Sequence, residues 1–331
     1  MTGGEALVKT LYREGVRVVF GLPGVQLYGA MAALRAEPGI RFITTRHEQA
    51  TAYMADGFAR AGGEGGFGTS LVVPGPGLLN ASAAMSTAYS ASSPVLVVSG
   101  QIPRDKIGQN VGVLHEVNDQ LDAIAPITKW RRRVLQVSEI PSAAHEAVFQ
   151  LKTGRPRPVE IEIPPETLEE YEEADLVEPA NPARPAAEAN AIDRAVDMLA
   201  RAEKPVIYAG GGIGLAHAEE PLRRLAEHLQ AAVIHSHEGK GAVTDDNYLS
   251  LGAALYRGSR ATEYAQSADV VLAVGSRLAM APFTQDQQII QLDIDGDEIG
   301  RNYANTFGLE GDAAATLRSL AEGVTAASAP R

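Results

Sequence analysis

A glutamate follows a histidine at the start of an alanine-rich helix, in the stretch RHEQATAYMADGFARAGG that begins at Arg46. The apolar run FITT precedes it, so Glu48 is predicted to lie where a strand turns into a helix. A carboxylate in the first turn stabilises a helix by about 0.3–1 kcal/mol, which would explain Glu48 without any chemistry. The alternative, a carboxyl that exchanges a proton with a bound ligand, requires other segments to converge on the same turn.

Two glycine–proline turns end strands in the same part of the chain. GLPG at 21–24 follows GVRVVF, and PGPG at 74–77 follows GTSLVV. Ligands of open α/β sheets bind at the carboxyl ends of the strands, and Glu48 also follows a strand in this sense. We therefore predict that the three turns converge on one crevice, where glycine lets the backbone approach a flat ring.

The order of apolar runs along the chain predicts an α/β fold. Continuous apolar strands, such as PVLVVSG, alternate with helical stretches, which is typical of a parallel sheet covered on both faces. A segment rich in Pro, Glu and Ala separates this block from a second alternation of strands and helices. We predict two doubly wound parallel-sheet domains, at 1–164 and 189–331, joined by a surface linker at 165–188; the second is Rossmann-like.

Composition narrows the class of protein. The 331 residues include no cysteine, which excludes disulfides and thiolate metal sites and fits a cytoplasmic location. A formal net charge of −12 argues against nucleic acid and anionic membranes as partners. No apolar run reaches the roughly 20 residues that cross a bilayer, and the first residues do not have the pattern of a signal peptide. The basic run KWRRRV at 129–134 is predicted to be a solvated edge or a subunit contact.

Three motifs in the second half have more than one interpretation. GGGIG at 210–214 could approach a phosphate, but similar glycine turns commonly connect strands and helices. DIDGDEIG at 293–300 lacks the spacing of a calcium loop and is better explained as a strand end before a helix start. His235 and His237 could bind a metal, but no third ligand is evident, so a loop at the sheet edge is favoured and no metal site is predicted.

Several segments together resemble a known family. GVRVVFGLPG, RHEQATAYMADGFARAGG and VVPGPGLLNASAAMSTAYSASSPVLVVSGQIP resemble the pyrimidine-binding domain of thiamine diphosphate-dependent enzymes of the acetolactate synthase-like group. KPVIYAGGG, ADVVLAVGSRL and LDIDGDEIGRN resemble the central domain of the same group. The resemblance covers nearly all of the chain. It implies a decarboxylase or carboligase of 2-keto acids, a lyase or transferase that breaks or makes C–C bonds with thiamine diphosphate.

The resemblance also implies roles for individual residues. In this family the glutamate of the R-H-E motif, here Glu48, hydrogen-bonds N1′ of the aminopyrimidine and favours the imino tautomer, whose 4′-nitrogen removes the C2 proton of the thiazolium. Family members carry a glutamine or histidine on the substrate side near the position of His115, which we expect to be a second catalytic residue; the alternative is a surface histidine in a loop. His47 is expected to orient the turn. The implied cofactor-binding residues are Glu48, Pro23, Gly24, Gly75, Pro76, Gly77 and Asn80.

The chain departs from the family pattern in two places. The family's diphosphate-binding domain, which holds Mg²⁺, is marked by a G-D-G motif followed by an asparagine, and this sequence contains no G-D-G. We therefore expect a separate diphosphate-binding subunit or domain, with this chain either a natural subunit or a fragment. Acetolactate synthases bind FAD partly around a G-M-H-G segment, and LGAALYRGSR at 251–260, which corresponds to it, lacks the histidine. This difference argues against FAD.

The resemblance implies an assembly as well. In this family the cofactor lies between the pyrimidine-binding domain of one protomer and the diphosphate-binding domain of another, so a homo-oligomer, either a dimer or a tetramer, is expected. Two alternatives stay open: a non-catalytic scaffold or regulatory subunit, against which Glu48 argues, and a nucleotide-binding protein that uses GGGIG.

Overall fold

The computed structural model describes residues 1–253 and 258–330. The chain divides into two compact units, Met1–Pro182 and Ala183–Arg331, and each contains a parallel sheet. The predicted α/β class with two parallel-sheet domains is therefore confirmed. Within the described ranges, no helix combines the length and the apolar character that crossing a membrane requires.

The sheet of the first unit brings two of the predicted turns side by side. Its strands are β1 (Val18–Gly21), β2 (Arg41–Thr44), β3 (Gly68–Val72), β4 (Val95–Gly100), β5 (Trp130–Arg133) and β6 (Val159–Ile163). All are parallel, in the order β2-β1-β3-β4-β6-β5. From β1 the chain moves to β2 on one side and returns to β3 on the other. The turns GLPG and PGPG thus leave their strands at a topological switch point, where open α/β sheets bind ligands.

Local sequence explains where the helices of this unit begin. They are α1 (Gly3–Arg13), α2 (Tyr28–Ala36), α3 (Glu48–Arg60), α4 (Pro76–Ala91), α5 (Gln120–Ile124), α6 (Ile140–Lys152) and α7 (Pro165–Glu169). Thr2 and Glu5 form a capping box for α1, and Pro76 occupies the first turn of α4, where a missing N–H does no harm. Helices α3 and α4 pack closely because alanines fill their contact: Ala52, Ala55, Ala81, Ala84 and Ala88.

The segment predicted as a linker, 165–188, is attached to the first unit over most of its length. It begins with α7, in which Leu168 is buried, and it stays with the first unit as far as Pro182. The buried carboxylate of Glu14 accepts two hydrogen bonds from the backbone N–H of Ala180, at 2.9 and 3.1 Å. The basic run KWRRRV forms β5, the edge strand beside β6.

The second unit repeats the same kind of topology. Its strands are β7 (Pro205–Ala209), β8 (Ala232–His235), β9 (Val270–Val274), β10 (Gln288–Asp293) and β11 (Thr306–Glu310). They are parallel, in the order β11-β10-β9-β7-β8. Its helices are α8 (Ala189–Arg201), α9 (Gly212–Ala216), α10 (Glu219–Leu229), α11 (Arg260–Gln266) and α12 (Ala313–Ala327). The chain reverses direction across the sheet after β8, so β7 and β9 flank a second switch point.

Candidate functional site

Glu48 is the first residue of α3, directly after the turn that leaves β2. The preceding His47 has an extended backbone and caps the helix, because its Nδ1 accepts a 3.1 Å hydrogen bond from the N–H of Gln49. This contact orients the turn. The Glu48 side chain is buried, with 9% of the residue exposed, although a carboxylate at a helix start normally lies in solvent. Burial therefore sets Glu48 apart from an ordinary helix-start carboxylate.

One oxygen of Glu48 is occupied and the other is not. The side-chain amide of Asn80, on α4, donates a 3.0 Å hydrogen bond to Oε2 of Glu48. In the part of the chain that the structure describes, Oε1 has no hydrogen-bond partner. A Cβ atom at Gly77 would lie 3.5 Å from this oxygen. Oε1 thus lies beside Gly77.

Val73 joins the two glycine–proline turns. A Cβ atom at Gly24 would lie 2.2 Å from Cγ1 of Val73, and a Cβ atom at Gly77 would lie 2.5 Å from Cγ2 of the same side chain. Any larger residue at either position would therefore push the turns apart. Val73 thus packs against both Gly24 and Gly77, and Oε1 of Glu48 lies beside Gly77.

His115 reaches this region through its backbone. Gly75 has a φ of +53°, and a Cβ atom there would lie 2.2 Å from the carbonyl oxygen of His115. His115 itself has a φ of +70°, which is rare for a residue with a side chain. Its Nδ1 is buried and has no hydrogen-bond partner among the described residues. The fold thus brings His115 next to Gly75 from a loop that is 40 positions away in sequence.

The loop before His115 is held by Glu116. The carboxylate of Glu116 accepts hydrogen bonds from the backbone N–H groups of Val111, Gly112 and Val113, at 3.2, 2.5 and 3.1 Å. Desolvation by itself would raise the pKa of Glu116, but these backbone donors outweigh it and lower the pKa. The ionised carboxylate therefore holds the backbone of residues 111–113 in place just before His115.

The two prolines and Asn80 lie at the outer edge of this group. Pro23 and Pro76 are exposed, and Asn80 is exposed while its amide reaches inward to Glu48. Sequence reasoning missed Val73 and Gln120, whose side-chain oxygen accepts a 3.0 Å hydrogen bond from the N–H of Gly75. Val73 could have been found as the last apolar residue before PGPG. Nothing in the sequence links Gln120 to a glycine 45 residues earlier.

The residues present fit the aminopyrimidine ring of thiamine diphosphate. A ring nitrogen needs a buried group that can donate or accept a proton, and the carboxyl of Glu48 provides one, with Oε1 beside Gly77 and without a partner among the described residues. Asn80 leaves this oxygen available because it bonds only Oε2. Such a carboxyl can accept or donate a proton at Oε1.

The motifs of the second unit have structural explanations. Cβ atoms at Gly210 and Gly212 would lie 2.2 and 2.6 Å from the backbone of Gly275, so these glycines are required for the ends of β7 and β9 to meet, whether or not a phosphate binds. Asp295 caps the short helix at 296–298 by accepting a 3.2 Å hydrogen bond from the N–H of Asp297. This is the helix start that the sequence predicted for DIDGDEIG.

The two histidines of IHSHEGKG differ in environment. His235 is fully buried and His237 is exposed. Within the described part of the chain, no group of three or more His, Asp or Glu residues has the arrangement of a metal site. The segment that corresponds to the FAD-binding stretch, 251–260, falls partly on residues 254–257, which lie outside the described residues.

Comparisons with known proteins identify both units. Residues 1–124 match the thiamine pyrophosphate enzyme N-terminal TPP binding domain, and residues 192–320 match the thiamine pyrophosphate enzyme central domain. The chain is 37% identical over 334 residues to a probable acetolactate synthase large subunit of Methanocaldococcus jannaschii, an alignment that covers 97% of the chain and 56% of that protein.

Two further relatives carry other activities in their names. A probable 2-ketoarginine decarboxylase of Pseudomonas aeruginosa is 37% identical over 327 residues, covering 97% of the chain and 57% of that protein. A glyoxylate carboligase of Escherichia coli O157:H7 is 33% identical over 338 residues, covering 97% and 55%. The chain thus spans little more than half the length of the curated relatives that it matches.

Proposed function

Since this chain belongs to the thiamine pyrophosphate enzyme family, within its acetolactate synthase-like group, we propose that its first unit binds the aminopyrimidine ring of thiamine diphosphate. In this proposal residues 1–164 are the pyrimidine-binding domain, 165–188 a linker and 189–331 the central domain. The observation that carries the proposal is the buried carboxyl of Glu48, which has one oxygen bonded to Asn80 and the other facing Gly77 without a partner among the described residues.

Glu48 supplies a proton at a fixed position. Thiamine diphosphate, when bound, provides a carbon nucleophile and an electron sink for breaking or forming the bond next to a carbonyl group. Asn80 holds Oε2, so the carboxyl presents Oε1 to a nitrogen of the ring. A carboxyl can give up the proton and take it back, whereas an amide of the same shape can form the hydrogen bond but cannot change its proton count.

His115 is assigned to the substrate side of the site. Its backbone packs on Gly75, and its buried Nδ1 has no partner in the described part of the chain. We propose a 2-keto acid as the substrate, with decarboxylation or carboligation as the reaction. Support comes from the relatives, because 2-ketoarginine and glyoxylate, which two of their names contain, both carry a carbonyl next to a carboxylate.

The diphosphate and Mg²⁺ are held elsewhere in this proposal. The 331 residues contain no G-D-G motif, so we assign these contacts to a part of the assembly outside this sequence, either in a second polypeptide or in a longer form of this one. Activity would then require that part. The assembly contains at least two copies of the chain, because the family's site is shared between protomers. A scaffold role is less well supported, since a scaffold has no use for a buried, partly unbonded Glu48.

The test replaces Glu48 in the assembly that contains the diphosphate-binding part, supplied with thiamine diphosphate, Mg²⁺ and a 2-keto acid. Glu48→Gln is expected to fold normally and to lose at least about a hundredfold in turnover, because a positioned acid–base group contributes about 10²–10⁴-fold. Glu219→Gln is the matched control, since Glu219 also lies in the first turn of a helix, α10, and should leave turnover unchanged.

A binding measurement on this chain alone gives an independent readout. The probe is 4-amino-5-hydroxymethyl-2-methylpyrimidine, the ring without its diphosphate, titrated by NMR. Glu48→Gln should still bind it because the amide can hydrogen-bond the ring, whereas Glu48→Ala should not. Wild-type turnover in Glu48→Gln, or equal probe binding by Glu48→Ala and the unmodified chain, would overturn the proposal.

A further inference from the structure

Gln120 joins the ends of two neighbouring strands at the site. It is fully buried and is the first residue of α5. Its Oε1 accepts a 3.0 Å hydrogen bond from the N–H of Gly75, just after β3, and its Nε2 donates a 3.0 Å hydrogen bond to the carbonyl of Gly100, the last residue of β4. One side chain therefore fixes the distance between the PGPG turn and the adjacent strand end.

The orientation of the Gln120 amide is determined by its partners. The carbonyl of Gly100 can only accept a hydrogen bond, so it must face the NH₂ group, and the N–H of Gly75 can only donate, so it must face the oxygen. The NH₂ group also donates to the Oγ of Ser99, at 3.1 Å. The oxygen and the NH₂ group of the Gln120 amide are therefore both hydrogen-bonded. A reversed amide would place its oxygen against the carbonyl of Gly100 and its NH₂ group against the N–H of Gly75.

Ser99 extends the same series of hydrogen bonds to a buried carboxyl. Its hydroxyl accepts from Gln120 and donates to Oε1 of Glu160 on β6, at 2.6 Å. Ser99 and Glu160 are both fully buried. Each residue of the series donates to the next one, from the backbone N–H of Gly75 through Gln120 and Ser99 to Glu160. Ser99 and Glu160 thus hold the NH₂ end of the Gln120 side chain and fix its rotamer from the side opposite to the turn.

Gly75 is a position where small displacements matter. Its φ of +53° is supported from one side by the hydrogen bond to Gln120 and from the other by contact with the carbonyl of His115. Two residues further on, Gly77 faces Oε1 of Glu48. Loss of the Gln120 bond would free the turn to move, and with it the segment that separates His115 from Glu48.

We propose that Gln120 is a positioning residue of the cofactor site, which holds the Gly75 turn so that a planar ring can meet Oε1 of Glu48 beside Gly77. It acts on the ligand through the turn, with Ser99 and Glu160 fixing its side chain. This inference rests on the proposed function, because it takes thiamine diphosphate as the ligand of the turn.

The experiment compares Gln120→Leu with Gln287→Leu in the complete assembly. Gln287 is a matched control: it is buried in the second unit, accepts from the N–H of Thr284 at 2.8 Å and donates to the carbonyls of Ala265 and Ala268, both at 2.8 Å. Each substitution removes the same set of contacts from a buried glutamine. Both should lower the melting temperature, and only Gln120→Leu should raise the KM for thiamine diphosphate, by roughly 3- to 10-fold.

Hydrogen exchange at the N–H of Gly75 provides the direct structural readout. Gln120→Leu should remove its protection, whereas Gln120→Glu, which keeps an acceptor in the same place, should retain it and recover part of the cofactor affinity. If Gln120→Leu does not fold, Gln120→Ala, which also removes the acceptor, decides the question by the same two measurements. The inference would be overturned if a variant that loses protection at Gly75 kept a KM for thiamine diphosphate within error of that of the unmodified protein. If Glu48→Gln is inactive and this result is obtained, only the inference about Gln120 fails; if Glu48→Gln is fully active, the proposed function fails first.

Discussion

The side-chain amide of Asn80 donates a 3.0 Å hydrogen bond to Oε2 of Glu48, across the contact between α4 and α3. Both residues lie in the first or second turn of their helices, so the bond links two helix N-termini. The amide NH₂ group of Asn80 can only donate, so Oε2 of Glu48 must accept this hydrogen bond. When the carboxyl carries a proton, that proton is therefore on the other oxygen, Oε1. Asn80 therefore decides which face of Glu48 can meet a ligand.

Asn80→Ala should lower activity without unfolding the protein. Asn80 is exposed, so the change removes little packing, and the lost hydrogen bond corresponds to about 0.5–1.5 kcal/mol. The freed carboxyl can rotate, and we expect a lower kcat with thiamine diphosphate together with a nearly unchanged melting temperature. Steady-state kinetics and thermal unfolding measure both.

Asn80→Asp is the sharper companion variant. It keeps the shape of the side chain but places a second carboxyl within hydrogen-bond distance of Glu48, where two negative charges repel. It should therefore be less active than Asn80→Ala at neutral pH. Equal activity of Asn80→Asp and the unmodified protein would mean that the bond to Glu48 has no part in function.

Gly75→Ala should damage both stability and the site, for two separable reasons. A residue with a side chain is strained at a φ of +53°, and its Cβ would also lie 2.2 Å from the carbonyl oxygen of His115. Gly66→Ala separates the two effects, because Gly66 has a φ of +76° and no atom within 4 Å of an added Cβ.

Backbone strain alone is of the order of 1–3 kcal/mol, so Gly66→Ala should lose about that much stability and keep full activity. Gly75→Ala should lose more stability and most activity. Chemical denaturation and steady-state kinetics give the two values. If both variants lose the same free energy of unfolding, the contact with His115 contributes nothing measurable.

The sequence allowed prediction of the turns but not of the contacts between them. Strand ends carry local signals, such as GLPG and PGPG, and the rule that ligands bind at the carboxyl ends of parallel strands places them at one edge. The series of contacts through Val73 depends on packing at the switch point, which no local pattern encodes. Gln120 was missed for the same reason: its hydrogen bond to Gly75 spans 45 residues.

The missed fold elements have physical explanations too. β11, TFGLE, is half-buried at the edge of its sheet and has no continuous apolar run. Helix α7 is five residues long within a Pro- and Glu-rich segment, so its composition indicated a linker. Its attachment comes from tertiary contacts: the N–H of Ala180 bonds to the buried carboxylate of Glu14.

Glu160→Gln should change the pH dependence of stability. Burial, with a smaller contribution from the neighbouring Glu162, raises the pKa of Glu160 well above its usual range, although the hydrogen bond from Ser99 and the charges of Arg133 and Arg131 act in the opposite direction. The folded state therefore holds the proton more tightly than the unfolded state. The stabilisation from Glu160 is present at acidic pH, below the unfolded-state pKa, and is lost as the pH rises through the folded-state pKa.

The amide has no proton to lose, so the stability of Glu160→Gln relative to the unmodified protein should increase with pH. The limiting slope for one proton is about 1.4 kcal/mol per pH unit. Urea unfolding at a series of pH values from mildly acidic to mildly basic measures the difference. A constant difference across that series would show that Glu160 does not titrate differently in the folded and unfolded states.

His115→Asn should lower turnover more than cofactor affinity. Asparagine tolerates the left-handed backbone that His115 adopts, at a φ of +70°, so this variant keeps the loop conformation while removing the imidazole. His115→Ala adds backbone strain and is therefore the less specific variant.

The buried Nδ1 of His115 has no partner among the described residues. If it serves the substrate, the loss of the ring changes kcat with a 2-keto acid and leaves the KM for thiamine diphosphate nearly constant. The same kinetic analysis that separates kcat from KM checks this. An increase in the KM for thiamine diphosphate equal to the loss in kcat would place His115 on the cofactor side, and unchanged kinetics would leave it as a loop residue whose carbonyl alone matters, through its contact with Gly75.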